Sequence, residues 1–334
     1  MIRVAINGFG RIGRRVFREL MLNDEVEVVA INDLTETATL AHLLKYDSVH
    51  GISPFEITHT DNSIRANGHE VFVTAIKSPK ELPWGDLNVD YVIESTGLFR
   101  TQELAEQHLT AGANRVIMSA PPKEGDVPAI VMGVNESILT GEEKVISNAS
   151  CTTNSAAPLV KVIEDLTEID AAYITTVHSY TSDQRLHDAP HSDLRRARAA
   201  ALSIVPTTTG AAKAITKIFP DLEGKMGGCG IRVPVPDGSL TDMTFIVKDT
   251  LTVDQINNAF LKASENELKG YLQYTTDPIV SVDVVGNRHS SLFDSQLTSV
   301  IGNMVKVLAW YDNEAGYSAR LVDLILYVES LRTK

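Results

Sequence analysis

The sequence predicts an α/β protein of two domains: an N-terminal Rossmann-type domain with a doubly wound parallel sheet, and an α+β domain with a mostly antiparallel sheet. A glycine-rich turn joins the first apolar strand to a helix, and apolar β-branched runs then recur up to residue 147. After about residue 170, strands follow one another with a single clear helix between them, at 253–263. We therefore expect a first domain over residues 1–150 and a second over 151–315, with a C-terminal helix at about 316–334 that packs back on the first.

The glycine-rich turn has the spacing of a dinucleotide-binding loop. Gly8, Gly10 and Gly13 lie between the predicted strand 2–6 and a helix whose apolar residues recur every four positions. In such a loop the first glycine allows the turn, the second lets pyrophosphate approach the backbone, and the third lets the helix close on the sheet. Asp33 ends the next apolar strand, 20 residues beyond Gly13, where its carboxylate can bind ribose hydroxyls. A loop that merely needs positive φ angles would not explain Asp33, so the pattern favours a dinucleotide site.

Further apolar runs are predicted to complete the first sheet. They are residues 91–97, 115–119, 129–134 and 145–147. The carboxyl ends of two of these strands, at Thr96-Gly97 and Ser119-Ala120, lie where a doubly wound fold binds its ligand.

Cys151 stands among hydroxyl and amide side chains, in the run Asn148-Ala149-Ser150-Cys151-Thr152-Thr153-Asn154. A predicted strand ends just before it, and a helix that reaches about residue 165 is predicted just after it. The unpaired N–H groups at a helix start favour a thiolate, so we expect a lowered pKa for Cys151. A buried, inert thiol is the commoner state of a cysteine, but the polar neighbours favour a reactive one.

Strands dominate the second half, at residues 172–177, 231–235, 241–248, 279–284 and 304–310. His178 directly follows the first of them, where its imidazole could reach Cys151. The chain has nine histidines in all, so position alone does not single out His178. The chain ends in a predicted amphipathic helix with apolar residues at 321, 324, 325 and 328.

A basic cluster in this half could bind an anion. Arg195, Arg196 and Arg198 precede the run Thr207-Thr208-Thr209-Gly210, after which a helix is predicted to begin. Guanidinium groups, hydroxyls and helix N–H groups are ligands for phosphate. A salt-bridged surface is the alternative explanation for any single arginine.

Composition restricts the functions that the chain can have. It has 334 residues and a net charge of −13, which argues against binding to nucleic acid or to an anionic membrane surface. We expect no transmembrane segment, no signal peptide and a cytoplasmic location. The two cysteines, Cys151 and Cys229, exclude a disulfide scaffold or a zinc knuckle, and no metal site is expected.

Five blocks of sequence resemble the phosphorylating glyceraldehyde-3-phosphate dehydrogenase family, in the family's order and over essentially the whole chain. They are residues 6–14 (INGFGRIGR), 43–51 (LLKYDSVHG), 147–154 (SNASCTTN), 206–213 (PTTTGAAK) and 310–314 (WYDNE). The resemblance implies a homotetrameric, NAD-dependent enzyme that converts glyceraldehyde 3-phosphate and inorganic phosphate to 1,3-bisphosphoglycerate through a thioester in glycolysis.

The resemblance also implies roles for individual residues. Cys151 is expected to be the nucleophile and His178 its activator. Thr181 and Arg232 match the site for the substrate's own phosphate, and Ser150, Thr152, Arg196, Thr209 and Gly210 match positions that hold the attacking phosphate and the reacting group. Besides Gly8, Gly10, Gly13, Thr96 and Gly97, the expected cofactor residues are Arg11, Ile12, Asp33, Lys77, Ser119, Asn313 and Tyr317.

Two other functions stay open at this point. The related erythrose-4-phosphate dehydrogenase reaction is one, although the run 207–210 disfavours it. The other is a catalytically silent protein that binds a nucleotide or a partner on the same fold. The presence of both Cys151 and His178 argues against a silent protein.

Overall fold

The computed structural model describes residues 1–332, so residues 333 and 334 of the predicted C-terminal helix lie outside the described residues. The chain divides into two compact units. The first contains Met1–Ile130, Ser137–Ala149 and the segment from Ser318 onward. The second contains Val131–Glu136 and Ser150–Tyr317.

The first unit is built on a sheet whose strand order is β10-β9-β8-β1-β2-β7-β6-β5. Pairing is parallel from β10 to β7 and antiparallel between β7, β6 and β5. Its elements are β1 Ile2–Asn7, α1 Arg11–Leu20, β2 Val26–Asn32, α2 Thr37–Lys45, β3 Tyr46–Asp47, β4 Gly51–Ile52, β5 Ile57–His59, β6 Ser63–Ala66, β7 His69–Thr74, β8 Tyr91–Glu94, α3 Gln102–Ala105, α4 Gln107–Thr110, β9 Arg115–Met118 and β10 Val145–Ser147.

The order of strands reverses at β1, which lies between β2 and β8. This is the switch point at which a doubly wound sheet binds its ligand, beyond the carboxyl ends of the strands. Each of the three strands ends in a buried polar residue, namely Asn7, Asn32 and Glu94. Hydrogen bonds of 2.7 Å from Asn32 Nδ2 to Asn7 Oδ1 and of 2.6 Å from Asn7 Nδ2 to Glu94 Oε2 join them. The strand ends are therefore held together beneath the predicted ligand site.

The predicted strand at 129–134 is wrong. Only Ala129 forms an isolated bridge, to Ser147, and the chain then turns. The turn is closed by a 2.7 Å hydrogen bond from Val131 N to Asn135 Oδ1, and Gly133 adopts a φ of +84°. A residue with a left-handed backbone conformation cannot continue a strand, although the apolar composition of the run is typical of a strand.

The second unit is built on a sheet of order β12-β13-β11-β14-β18-β16-β15, with β17 paired to β18. Five of its pairings are antiparallel, and β11–β13 and β15–β16 are parallel. Its elements are α5 Cys151–Leu166, β11 Ile169–Ser179, β12 Val205–Thr207, α6 Ala211–Ile218, β13 Met226–Val233, β14 Ser239–Val247, α7 Val253–Glu265, β15 Leu272–Thr275, β16 Ser291–Asp294, β17 Ser299–Ile301 and β18 Met304–Tyr311.

Helix α5 packs on this sheet together with α6 and α7. The core beneath them includes Phe260 and Phe293, whose rings are stacked with centroids 3.9 Å apart. The predicted strand at 279–284 is wrong, because residues 281–284 form a 3-10 helix. Strands β15 and β16 flank that segment and were not predicted.

Helix α8, Ala315–Arg332, ends the described chain. The four apolar residues predicted to face a core, at 321, 324, 325 and 328, are buried. Ser318, Arg320 and Val322 are buried as well, so this half of the helix is covered on more than the one predicted face. Within the first unit, Glu329 accepts a 2.8 Å hydrogen bond from the hydroxyl of Tyr91, on β8. None of the described helices is both long and apolar enough to cross a membrane.

Candidate active site

Cys151 is the first residue of α5, which confirms the predicted strand-to-helix turn. Ala149 makes the turn with a φ of +52°, a conformation that residues other than glycine rarely adopt. Ser150 then caps the helix, since its Oγ accepts a 3.1 Å hydrogen bond from Thr153 N. The N–H groups of Cys151 and Thr152 precede those that the cap satisfies, so the helix start presents donors beside the thiol.

The imidazole of His178 faces the thiol. His178 lies near the end of β11, and its Nε2 is 3.4 Å from Cys151 Sγ. Its Nδ1 is 2.7 Å from the carbonyl oxygen of Ser179, an atom that can only accept a hydrogen bond. This contact is shorter than the 3.3 Å one between Nδ1 and Arg232 Nη1, so the proton of a neutral His178 is assigned to Nδ1, which leaves the Nε2 lone pair directed at Sγ.

The expected lowering of the Cys151 pKa is wrong. Burial raises the pKa of the thiol, and this effect exceeds the lowering by the Arg232 guanidinium and by hydrogen bonds from Thr152 and the helix start. Burial also lowers the pKa of His178 to about 3, an effect that Arg232 strengthens and the bond to Ser179 opposes. Both shifts favour the neutral forms of the pair, in which His178 can accept the proton as the thiol becomes a thiolate.

Tyr311 fixes the two elements that carry this pair. Its buried hydroxyl lies 3.0 Å from Thr152 Oγ1 on α5 and 2.9 Å from Thr176 Oγ1 on β11. Its ring meets the His178 ring edge to face, with centroids 5.9 Å apart. One side chain of β18 thereby ties the start of the nucleophile helix to the histidine strand.

Arg232 places a positive charge next to the pair. In the parallel pairing of β11 and β13 it lies opposite His178. Its Nη1 donates 3.1 Å hydrogen bonds to Thr181 Oγ1 and to the carbonyl oxygen of Ser179. Within the described part of the chain, no carboxylate forms an ion pair with Arg232. A guanidinium that has no ion-pair partner among the described residues and lies beside a threonine hydroxyl suits an anionic ligand.

Arg196 has a different environment. It forms ion pairs with Asp183 and, at 3.6 Å, with Asp193. It also donates to Thr207 Oγ1 at 2.9 Å and to the carbonyl oxygen of Thr208 at 3.2 Å. The structure thus brings Arg196 to the threonine run, but with two carboxylates around it.

The threonine run leads into a helix, as predicted. Gly210 is the N-cap of α6, and Thr209 Oγ1 accepts a 3.2 Å hydrogen bond from Ala211 N. Thr209 and Gly210 therefore adjoin the residues that bind Arg196, and they lie where the first N–H groups of α6 are free of intrahelical bonds.

The dinucleotide loop of the first unit fits a pyrophosphate. Gly8 has a φ of +92°, and a Cβ there would lie 2.6 Å from the backbone nitrogen of Thr96. A Cβ at Gly13 would lie 2.2 Å from the carbonyl oxygen of Gly8, so the helix can close on the loop only with glycine. A Cβ at Gly10 would have no atom within 4 Å, and no side chain caps α1. The N–H groups of Arg11 and Ile12 begin this helix, where a phosphate anion is stabilised.

Asp33 extends the same site. Its Oδ2 accepts a 2.8 Å hydrogen bond from Phe9 N, which fixes the carboxylate beside the loop. Its Oδ1 accepts from Thr35 N at 3.0 Å. A half-buried carboxylate next to a pyrophosphate loop matches the ribose of a dinucleotide, so the residues present fit NAD.

The other expected cofactor residues of this unit lie at or near the carboxyl ends of the strands. Thr96 donates a 2.9 Å hydrogen bond from its nitrogen to Glu94 Oε1, and its hydroxyl donates to the same oxygen. The Ser119 hydroxyl lies 2.9 Å from that of Ser95. Gly97 has a φ of +72°, and both Gly97 and Lys77 are exposed.

Asn313 and Tyr317 belong to the second unit and are buried. The Asn313 amide oxygen accepts hydrogen bonds from Ser179 Oγ at 2.8 Å and from Ser239 Oγ at 2.7 Å. These two bonds fix the orientation of the amide, so its NH₂ group is the part that can serve a ligand.

Sequence reasoning missed Tyr311, Ser179, Glu94 and Asp183 as parts of the site. Tyr311 was the easiest of them to find, because it belongs to the run 310–314 and falls on the buried face of the alternating strand β18. The contacts of Ser179 and Asp183 depend on strand register and loop conformation, which no short sequence pattern encodes.

Comparison with known proteins identifies a family that matches this chain. Residues 2–102 match the family model of the glyceraldehyde 3-phosphate dehydrogenase NAD binding domain, and residues 150–313 match that of its C-terminal domain. The chain is 54% identical over 330 residues to glyceraldehyde-3-phosphate dehydrogenase 2 of Streptomyces avermitilis, covering 98% of each chain. It is 53% identical over 331 residues to glyceraldehyde-3-phosphate dehydrogenase of Geobacillus stearothermophilus, again covering 98% of each chain.

Proposed function

This chain belongs to the glyceraldehyde-3-phosphate dehydrogenase family, and we propose that it catalyses the NAD-dependent oxidative phosphorylation of D-glyceraldehyde 3-phosphate to 1,3-bisphosphoglycerate in glycolysis. The observation that carries the mechanism is the contact between Cys151 Sγ and His178 Nε2, 3.4 Å apart, with Arg232 beside them. The relatives bear the name of this reaction and not of erythrose-4-phosphate oxidation. The intact pair also argues against a catalytically silent protein.

The first step is addition of the thiol to the aldehyde. His178 accepts the proton of Cys151 at Nε2 as sulfur attacks the carbonyl carbon, because that nitrogen carries the lone pair. The oxygen of the resulting hemithioacetal gains negative charge, which the protonated His178 and the N–H of Cys151 stabilise. When bound, NAD supplies the acceptor for the hydride that leaves the hemithioacetal carbon, and a thioester on Cys151 remains.

The second step is phosphorolysis of the thioester. A phosphate oxygen attacks the thioester carbon, the carbon–sulfur bond breaks, and the product leaves as an acyl phosphate. Departing as a thiolate, Cys151 regains its proton from the protonated His178, which restores the neutral pair. The thioester retains enough free energy for this transfer, whereas an oxygen ester on serine would be a poorer acyl donor.

We assign the substrate's own phosphate to Arg232 and Thr181, and the attacking phosphate to Arg196, Thr209 and Gly210, with Ser150 and Thr152 at the reacting group. The first assignment is supported by Arg232, which forms no ion pair with a carboxylate among the described residues. In the cofactor site, Gly8, Gly10, Arg11, Ile12 and Gly13 would hold the pyrophosphate and Asp33 the adenosine ribose. Lys77, Thr96, Gly97 and Ser119 would line the remainder of that site in the first unit. The assignment of Asn313 and Tyr317 to cofactor binding rests on the family resemblance.

The two phosphate assignments can be tested separately. Arg232→Ala should weaken the use of glyceraldehyde 3-phosphate far more than that of unphosphorylated glyceraldehyde, because only the former loses a charge-assisted bond. Arg196→Ala should raise the phosphate concentration needed for turnover and spare the first burst of NADH. Each lost bond is expected to cost about 1.5 to 3 kcal/mol, or roughly one to two powers of ten. If both variants lose the burst equally and keep the normal phosphate dependence, the assignment fails.

We further propose that the protein is a cytoplasmic homotetramer with an NAD-binding domain of residues 1–150 and a catalytic domain of residues 151–315. The tetramer is supported by exposed apolar side chains in one segment of the second unit. Leu186, Leu194, Leu202 and Ile204 are between 68% and 81% exposed. Large apolar side chains with this exposure are candidates for burial in a subunit interface. Light scattering after size-exclusion chromatography tests the tetramer, and a monomer or dimer mass would refute it.

A further inference from the structure

The ligands of Arg196 leave part of its guanidinium available. Nε donates to Thr207 Oγ1 at 2.9 Å, and Nη2 donates to the carbonyl oxygen of Thr208 at 3.2 Å. Nη1 donates to Asp183 Oδ2 in an ion pair. Because a guanidinium has five N–H groups, one on each Nη remains. A phosphate that binds both Nη groups would lie next to the carboxylate of Asp183.

The two carboxylates around Arg196 are held differently. Asp193 accepts a 2.8 Å hydrogen bond from Arg195 N and another of 2.8 Å from the Thr207 hydroxyl. It is therefore part of the loop's own structure. The side chain of Asp183 is 50% exposed, and its second partner is His191, at 3.7 Å. Of the two, only Asp183 can move without breaking backbone hydrogen bonds.

The negative charge of Asp183 affects how an anion can bind at Arg196. One guanidinium and two carboxylates give the Arg196 cluster a net charge of −1, and inorganic phosphate at neutral pH is a mixture of the monoanion and the dianion, so the cluster repels it. Arg232, by contrast, has no carboxylate in ion-pair contact within the described residues. The Arg196 site thus has carboxylates in direct contact, whereas Asp183 acts on Arg232 only at longer range.

We propose that Asp183 is a specificity-determining residue that weakens the Arg196 site for inorganic phosphate, because its carboxylate occupies Nη1 and repels the incoming anion. Phosphate can bind the remaining N–H group on each Nη of Arg196 only beside this carboxylate, unless it displaces the carboxylate from Nη1. The inference rests on the proposed role of Arg196. It adds that the chain carries its own competitor for that site.

A positioning role for Asp183 predicts the opposite change in the KM for phosphate. If Asp183 instead held Arg196 in its productive orientation, removing the charge would release the guanidinium and raise the KM for phosphate. Competition predicts a lower KM, because the neutral amide of Asp183→Asn no longer repels the anion and is a weaker partner for Arg196. The direction of the change therefore distinguishes the two roles.

The test compares three variants of the full-length protein in the NADH assay, with inorganic phosphate varied at constant ionic strength. Asp183→Asn is expected to lower the KM for phosphate by about 2- to 5-fold, the range for a partly exposed ion pair. Asp188→Asn is the matched control. Asp188 pairs with Arg198 at 2.9 Å in the same segment, is similarly exposed, and gives the same change in net charge. It should leave the phosphate KM within experimental error.

Arg196→Ala separates failure of this inference from failure of the proposed function. If Arg196→Ala raises the phosphate KM while Asp183→Asn leaves it unchanged or raises it, the competition is refuted and the phosphate site stands. If Arg196→Ala has no effect on phosphate dependence, the proposed site itself is wrong. An equal decrease in both aspartate variants would mean that net charge alone acts, which also refutes a specific role for Asp183.

Discussion

A buried acidic cluster in the second unit gives a sharp prediction for stability. Asp237 and Asp312 are each 1% exposed, and Glu314 is 7% exposed. Burial, followed by the charges of Asp312 and Glu314, raises the pKa of Asp237 to about 8. In the unfolded chain an aspartate titrates near pH 3.9. Asp237 is therefore expected to keep its proton in the folded protein at neutral pH.

The sign of the pH dependence follows from this difference. A group whose pKa is higher in the folded state stabilises the fold fully below its unfolded pKa, and that stability is lost as the pH rises through about 8. Between pH 6 and pH 8 the folded chain binds close to one extra proton, at about 1.4 kcal/mol per pH unit. Asp237 should therefore remove about 2 to 3 kcal/mol of stability over that interval.

The perturbation that isolates this contribution is Asp237→Asn. Asparagine keeps the oxygen that accepts a 2.8 Å hydrogen bond from Gly238 N, but it cannot ionise. Calorimetric unfolding of both proteins at pH 6 and pH 8 is the assay, since all other titrating groups cancel in the comparison. We expect the variant to gain about 2 to 3 kcal/mol relative to the parent between the two pH values.

Two results would contradict this reasoning. If the difference in unfolding free energy between parent and variant is the same at pH 6 and pH 8, Asp237 does not titrate in that range. If the variant loses stability relative to the parent as the pH rises, the charged carboxylate is favoured in the fold and the sign is wrong. Asp242→Asn is a useful control, because Asp242 pairs with Lys306 on the exposed side of the sheet.

Limiting iodoacetamide should alkylate Cys151 faster than Cys229, because His178 accepts the thiol proton in spite of the raised pKa of Cys151, and His178→Asn should slow the reaction of Cys151 alone. Equal labelling at neutral pH by mass spectrometry would count against it. Asp33→Ala should reduce the preference for NAD over NADP by about tenfold or more, because the carboxylate repels a 2′-phosphate; the ratio of kcat/KM values measures this, and an unchanged ratio would contradict it. Tyr311→Phe should cost about 1 to 3 kcal/mol in unfolding free energy, since it removes the buried hydroxyl that both Thr152 and Thr176 contact, and should also slow alkylation of Cys151. Unchanged stability and alkylation together would show that this hydroxyl does not position the pair.

Local pattern and spacing predicted much of the fold. The loop of Gly8, Gly10 and Gly13 requires glycine for backbone reasons, so its sequence and its structure correspond closely. Cys151 was placed correctly because a strand end, a serine cap and a helical repeat follow one another along the chain. Features that local sequence determines were therefore recovered.

The errors arose where tertiary context decides. The apolar run at 129–134 has the composition of a strand, but it turns at Gly133, and composition does not report that dihedral angle. The Cys151 pKa was predicted from the helix start alone. Desolvation raises this pKa by more than the helix start lowers it, and its size depends on how the surrounding elements pack around the thiol.

Arg196 and Arg232 show that the two anion sites depend on tertiary contacts. In the sequence, Arg196 belongs to a basic cluster and Arg232 stands alone, so Arg196 is the more obvious candidate for an anion site. In the structure the order reverses. Two carboxylates form ion pairs with Arg196, whereas β-sheet register places Arg232 beside His178, where none of the described carboxylates is in ion-pair contact with it. Strong binding at Arg232 would retain the substrate through both chemical steps. Weaker binding at Arg196 would let phosphate enter for one step only, and the proposed competition from Asp183 would set that difference.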